Sequence, residues 1–117
     1  MRFENIVKIK DEYSCALLIT MDLLGGKWKL RILWHIINGD NRFSLLRKLI
    51  PDITNKMLIT QLKELEESGI LVRKDFKEVP LRIEYSILDE YKGIIYIIDD
   101  LCNFTKKYAL KNKIKID

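Results

Sequence analysis

Residues 43–69 read FSLLRKLIPDITNKMLITQLKELEESG. Leu45, Leu46 and Leu49 predict a short helix that Pro51 stops, because proline has no backbone N–H and its ring clashes with the preceding turn. Thr54 then stands where a helix cap belongs, its hydroxyl able to accept an orphan amide hydrogen. Leu58, Leu62 and Leu65, at i, i+4 and i+7, predict a longer helix ending near Ser68-Gly69. Two helices around a tight turn, the second basic near its start, form the pattern of a helix-turn-helix, whose second helix enters the DNA major groove. With the leucines turned inward, a wheel of ~100° per residue points Lys56, Thr60 and Lys63 outward, with Asn55 and Ile59 beside them. These five are the base-reading candidates. Asn and Lys hydrogen-bond to base edges, and Thr offers a hydroxyl or a methyl to a thymine. For Lys63, phosphate contact or a solvated place beside Glu66 and Glu67 serves equally well.

Downstream, Ile70, Val72 and Phe76, then Leu81, Ile83, Tyr85 and Ile87, alternate with polar residues, and Lys77-Glu78-Val79-Pro80 makes the turn of a β-hairpin. A hairpin directly after a recognition-type helix is a wing. Upstream, Leu17, Leu18, Met21 and Leu24 share one face of a helix over residues 16–24 that Gly25-Gly26 ends. Leu30, Leu33, Trp34 and Ile37 give a second amphipathic helix closed by Asn38-Gly39. The fold class expected is mainly α with a small β-hairpin wing, a winged helix-turn-helix flanked by N-terminal and C-terminal dimerisation helices. Residues 1–117 make one domain, divided into helix-turn-helix (about 43–69), wing (70–88) and dimerisation helix (89–110).

That last helix is expected to start near Asp89 as its cap and to end about Leu110. It carries two apolar rows, Ile94, Ile97, Leu101, Phe104 and Tyr108 in one, and Tyr91, Ile95, Ile98 and Cys102 in the other. One row can pack on the domain and the other on a second copy, and Ile94, Ile97, Leu101, Phe104 and Tyr108 are the expected dimer interface. A fully buried core helix is the competing reading, but 117 residues leave little mass to surround it.

The net charge of +4 is modest, so its distribution matters more than its size. Between Lys27 and Lys63 lie Lys27, Lys29, Arg31, Arg42, Arg47, Lys48, Lys56 and Lys63, against only Asp40 and Asp52. Arg42, Ser44, Arg47 and Lys48 are placed for DNA phosphate, and Lys74, Lys77 and Arg82 on the wing for backbone or minor groove. For Arg82, on the polar face of a strand beside Glu84, a cross-strand ion pair is a rival reading. The lysines of the tail, from Lys106 to Lys115, read as a solvated helix end. Trp28 reads as a packing anchor and His35 as a surface residue without a metal-binding neighbourhood. Met1 to Lys10 lack the apolar stretch of a signal peptide, and no later run is long enough to span a bilayer, so the expected location is cytoplasmic, with no membrane partner.

Cys15 and Cys102 are too far apart in sequence for a metal knuckle and are expected as free thiols. Cys15, near a helix start, is the redox-sensing candidate, although Asp11 and Glu12 oppose the helix field. A reversible switch there needs a partner thiol: Cys102, a second Cys15, or a small molecule. Cys102 reads as a core residue.

The motifs in order resemble the HxlR-type group of bacterial winged-helix regulators, related in fold to the MarR group. The resemblance rests on Cys15, Gly25-Gly26-Lys27-Trp28, Arg42-Phe43-Ser44, Lys56-Met57-Leu58, Leu62-Lys63-Glu64-Leu65-Glu66, Gly69, Glu78-Val79-Pro80 and Arg82-Ile83-Glu84-Tyr85. It implies a dimeric DNA-binding transcription factor and, through the N-terminal cysteine, a response to oxidants or electrophiles. The sequence departs from the group at Ala16, where a proline is usual, and at Ile87-Leu88-Asp89-Glu90-Tyr91, where the group has Leu-Thr-x-x-Gly.

The function expected is sequence-specific binding of double-stranded DNA at a pseudo-palindromic operator by a homodimeric repressor, with a small-molecule or oxidant signal as a further partner. The competing reading is a winged-helix protein-interaction module without specific DNA binding. An enzyme is not expected. One histidine and two distant cysteines assemble no nucleophile and base, and no cofactor or metal site is legible.

Overall fold

The computed structural model describes residues 8–117, so the reading of residues 1–7 as free of a signal segment lies outside the described residues. In chain order the elements are α1 (Ala16–Leu24), α2 (Lys29–Ile37), α3 (Phe43–Leu49), α4 (Asn55–Glu67), β1 (Leu71–Asp75), β2 (Ile83–Ile87) and α5 (Ile94–Lys111). The two strands pair antiparallel, from Leu71 opposite Ile87 to Asp75 opposite Ile83. This is a winged helix-turn-helix, with the hairpin following α4 directly.

Helix α4 forms as its sequence dictates. Thr54 accepts a hydrogen bond from the Met57 amide at 3.0 Å. Ile53 and Leu58, before and after the cap, are both buried in the core, the arrangement of a hydrophobic staple that fixes the entry angle of the chain. At the other end Gly69, at φ 86°, takes the left-handed conformation, and the Ile70 amide reaches back to the Leu65 carbonyl. The orphan carbonyls of the last turn are thereby satisfied.

The core is built from Ile32, Leu33 and Ile36 of α2, Leu46 and Ile50 around the end of α3, and Leu58, Leu62 and Leu65 of α4. Ile70, Leu71 and Ile87 of the wing and Ile94 and Ile98 of α5 close it. The wing is also tied to the helices through its backbone, where the Tyr85 amide donates to the Asn41 carbonyl.

Several faces differ from the sequence expectation. In α2 the buried face is Ile32, Leu33 and Ile36, whereas Trp34 is exposed and Leu30 and Ile37 are half-buried. Apolar residues surround this short helix on most sides, so its periodicity fits two faces, and packing selects one. In α3 only Leu46 is buried; Leu45 and Leu49 are exposed, and Phe43 and Ile50 take the inward places. On the wing Leu71 packs inward rather than Val72, and Leu81 lies exposed before β2 begins. Gly25 is extended, and Gly26 alone of the pair adopts positive φ.

Asp89 does not cap the last helix. It opens a single 3-10 turn over Asp89–Tyr91, and α5 starts five residues later with Gly93 at its cap position and no side-chain cap. An ion pair between Lys92 and Asp89, at 2.8 Å, occupies the carboxylate and holds its pKa below the usual range.

Candidate nucleic-acid interface

The outward face of α4 carries Asn55, Lys56, Ile59 and Lys63 exposed, with Thr60 half-buried among them. Ile59 is 50% exposed, an apolar side chain that the described residues leave half open to solvent. The Thr60 hydroxyl donates to the Lys56 carbonyl at 2.9 Å. Its proton is thus spent inside the helix, and what remains for a base edge is an acceptor lone pair and the methyl group.

The seven phosphate candidates divide. Ser44, Lys48, Lys74 and Lys77 are exposed around α3 and the wing. Arg47 turns inward, where its guanidinium donates to the Ile53 carbonyl and braces the turn ahead of α4. Arg42 and Arg82 converge on Glu84, at 3.1 and 2.9 Å, and Arg82 also pairs with Glu78 at 3.3 Å while lying 3.7 Å over the Phe76 ring. Arg82 is therefore an ion-pair partner, reaching Glu84 from the residue just before β2 rather than across the two strands. The Arg82 hydrogen bond, aided by Arg42, holds the Glu84 carboxyl below the usual range and raises Arg82 in turn.

Part of the basic excess upstream is also engaged. Arg31 grips Asp52 with two hydrogen bonds of 3.2 Å, and Lys27 lies 3.8 Å from the same carboxylate. The Arg31 contact lowers the Asp52 pKa, with Lys27 adding to it. Asp52 stands in the turn of the motif, so this contact clamps the turn to the start of α2. Lys29 does not belong to any exposed basic surface: it is buried, 2.8 Å from Glu64. Both contacts join residues distant in sequence, and no local signal marks them.

His35 is mostly buried rather than on the surface, and it has an acidic neighbour, Asp40, at 3.4 Å. Trp34 meets its ring edge-on. Cys15 is exposed at the cap position of α1 and makes no side-chain capping bond. Cys102 is exposed rather than part of the core, in a groove between α2 and α5 that also takes in Trp34, His35 and Leu101. Among the described residues no three His, Cys, Asp or Glu side chains gather as a metal site, and no helix is long and apolar enough to cross a membrane.

On α5 the two apolar rows are shared out differently from the expectation. Ile94 belongs to the protomer core together with Ile98 of the other row, while Ile97, Leu101, Phe104 and Tyr108 are exposed, Phe104 at 70%. Leu17, Leu18 and Met21 of α1 are exposed as well.

Comparison with known proteins places this geometry. The profile of the HxlR-like helix-turn-helix family matches residues 23–113. The HTH-type transcriptional regulator YkvN of Bacillus subtilis is 41% identical over 98 residues, covering 84% of this chain and 83% of YkvN. An HTH-type transcriptional regulator of Methanothermobacter thermautotrophicus is 42% identical over 99 residues, covering 85% and 76%. Among solved structures, the redox regulator HypR in its oxidized form superposes with a TM-score of 0.74 at 35% identity, over 80% of this chain and 96% of that one.

Proposed function

The chain belongs to the HxlR-like helix-turn-helix family, DNA-binding transcriptional regulators and not enzymes, and from that premise we propose that it acts as a homodimeric repressor reading a pseudo-palindromic operator through α4. The observation that carries this reading is the outward face of α4, where Asn55, Lys56, Ile59, Thr60 and Lys63 stand together on a helix whose opposite face is locked into the core. Lys and Asn supply hydrogen bonds to base edges, and Ile59 with the Thr60 methyl suits thymine methyl groups. Ser44, Lys48, Lys74 and Lys77 dock the backbone and set register. Arg42 and Arg82 reach phosphate only by releasing Glu84, and Arg47 supports the turn.

A second copy of the chain covers the exposed row Ile97, Leu101, Phe104 and Tyr108, with α1 contributing Leu17, Leu18 and Met21. A two-fold dimer sets its recognition helices about one DNA turn, roughly 34 Å, apart. Repression follows where such a site overlaps a promoter in the cytoplasm. Cys15 is the oxidant- or electrophile-responsive group: it is exposed, and the similar HypR is described as a redox regulator. The test is fluorescence anisotropy of the reduced protein on DNA from immediately upstream of its own gene and on a scrambled duplex, across a salt series. Preference for the upstream DNA of about 10³-fold at ~0.15 M salt, with affinity falling steeply as salt rises, is expected. Binding to neither duplex even at low salt favours the protein-interaction reading.

A further inference from the structure

Among the described residues, the buried charged residues are Lys29 and Glu64, whose side chains are each 4% exposed. Their Nζ and Oε1 atoms lie 2.8 Å apart, and Lys29 also donates to the Asp22 carbonyl at 3.3 Å. Lys29 therefore ties the last turn of α1 and the first residue of α2 to the last turn of α4. Glu64 stands one helical turn beyond Thr60 and next to Lys63, on the flank between the outward face and the leucine face.

Stability alone is a poor explanation for this pair. Withdrawing two ions from water carries a desolvation penalty that a close contact only partly offsets, and apolar side chains of the same volume are often as stable or better. Lys29 also begins α2, where the helix field disfavours a cation. The sequence thus breaks two local rules at one place, which points to a requirement other than burial. Directionality meets that requirement. The core face of α4 is three leucines, whose contacts hold the helix down with little directional preference, so a buried hydrogen-bonded ion pair adds a directional restraint on its rotation. A rotation of ~20° moves a side-chain tip on a helix of about 5–6 Å radius by about 2 Å, well beyond the ~0.5 Å tolerance of a precise site. A buried ion pair at hydrogen-bond distance resists such a rotation.

We propose that Lys29 and Glu64 are positioning residues that set the rotation of α4 and thereby the sequence preference of the protein. This rests on the reading of α4 as the base-contacting helix. The test uses the full chain and two probes: the tightest duplex recovered from a random-sequence library by the unaltered protein, and a scrambled duplex. The double variant K29M/E64L is expected to fold with an unchanged or higher Tm, while its preference for the selected duplex falls 10-fold or more and its affinity for scrambled DNA stays within about 2-fold. The single variant E64Q is expected to lose both stability and preference, and K29R, which keeps the ion pair, to retain the preference. A double variant that keeps the full preference, or one that cannot fold, overturns the proposal. A parallel K56A/T60A variant separates the two ideas: if it weakens both duplexes equally, the base-reading role of α4 has failed, whatever the ion pair does.

Discussion

Glu84 holds two guanidinium groups, those of Arg42 and Arg82, which the proposed reading places near the DNA backbone. Replacing it by glutamine removes one negative charge from that surface and frees both arginines. E84Q is therefore expected to tighten binding to scrambled DNA and to steepen its salt dependence by about one unit of slope, read by anisotropy. Unchanged slope would mean that the arginines stay turned away from DNA. The pH dependence follows from the lowered Glu84 pKa. A carboxylate whose folded pKa lies below its unfolded value contributes stability that is fully present above the unfolded value, about 4.3, and lost as pH falls through the folded one. Acid unfolding that E84Q abolishes is thus confined below about pH 4.3, with parent and variant parallel from pH 5 to 7. On α4, K56A/T60A is expected to cost 10-fold or more on specific DNA and far less on scrambled DNA. The outward placing of Lys56 and Thr60 was legible because three leucines at helical spacing leave one possible wheel. The engagement of Arg42, Arg47 and Arg82 was not, since their partners are set by tertiary proximity.

Most helix ends were legible from a residue with a physical role, the start of α5, expected at Asp89, being the exception. Thr54 caps α4, Pro51 keeps α3 from running past Leu49, and Gly39 and Gly69 turn left-handed just beyond α2 and α4. Faces were legible only where apolar residues form one stripe. The Leu58, Leu62 and Leu65 face of α4 is the buried one. In α2, KLRILWHII offers two candidate stripes, and the choice of Ile32, Leu33 and Ile36 depends on α4 and α5 arriving on that side. The same dependence on packing moved the start of α5 from Asp89 to Ile94, where Gly93 gives the chain its entry without a side-chain cap. T54A removes a hydrogen bond to the Met57 amide and is expected to cost about 1 kcal/mol. L62A opens a cavity in the core and is expected to cost about 2–5 kcal/mol. Urea unfolding checks both, and a T54A cost near zero would mean that the cap bond contributes nothing.

For the whole molecule, the apolar row of α5 has the spacing of a helix seam and is left exposed by the described residues. F104E introduces a charge at the centre of that row without touching the core. It is expected to give a folded monomer by sedimentation, with a circular dichroism spectrum like the parent's and specific DNA binding lost. A dimer that survives F104E would place the seam elsewhere, with α1 the next surface to test. In the proposed dimer two copies present α4 symmetrically to successive major grooves, an arrangement that selection from a random-sequence duplex library reads out. The predicted outcome is an inverted repeat with half-site centres about 10–10.5 base pairs apart. Recovery of a single asymmetric half-site, or of no enriched sequence, contradicts it.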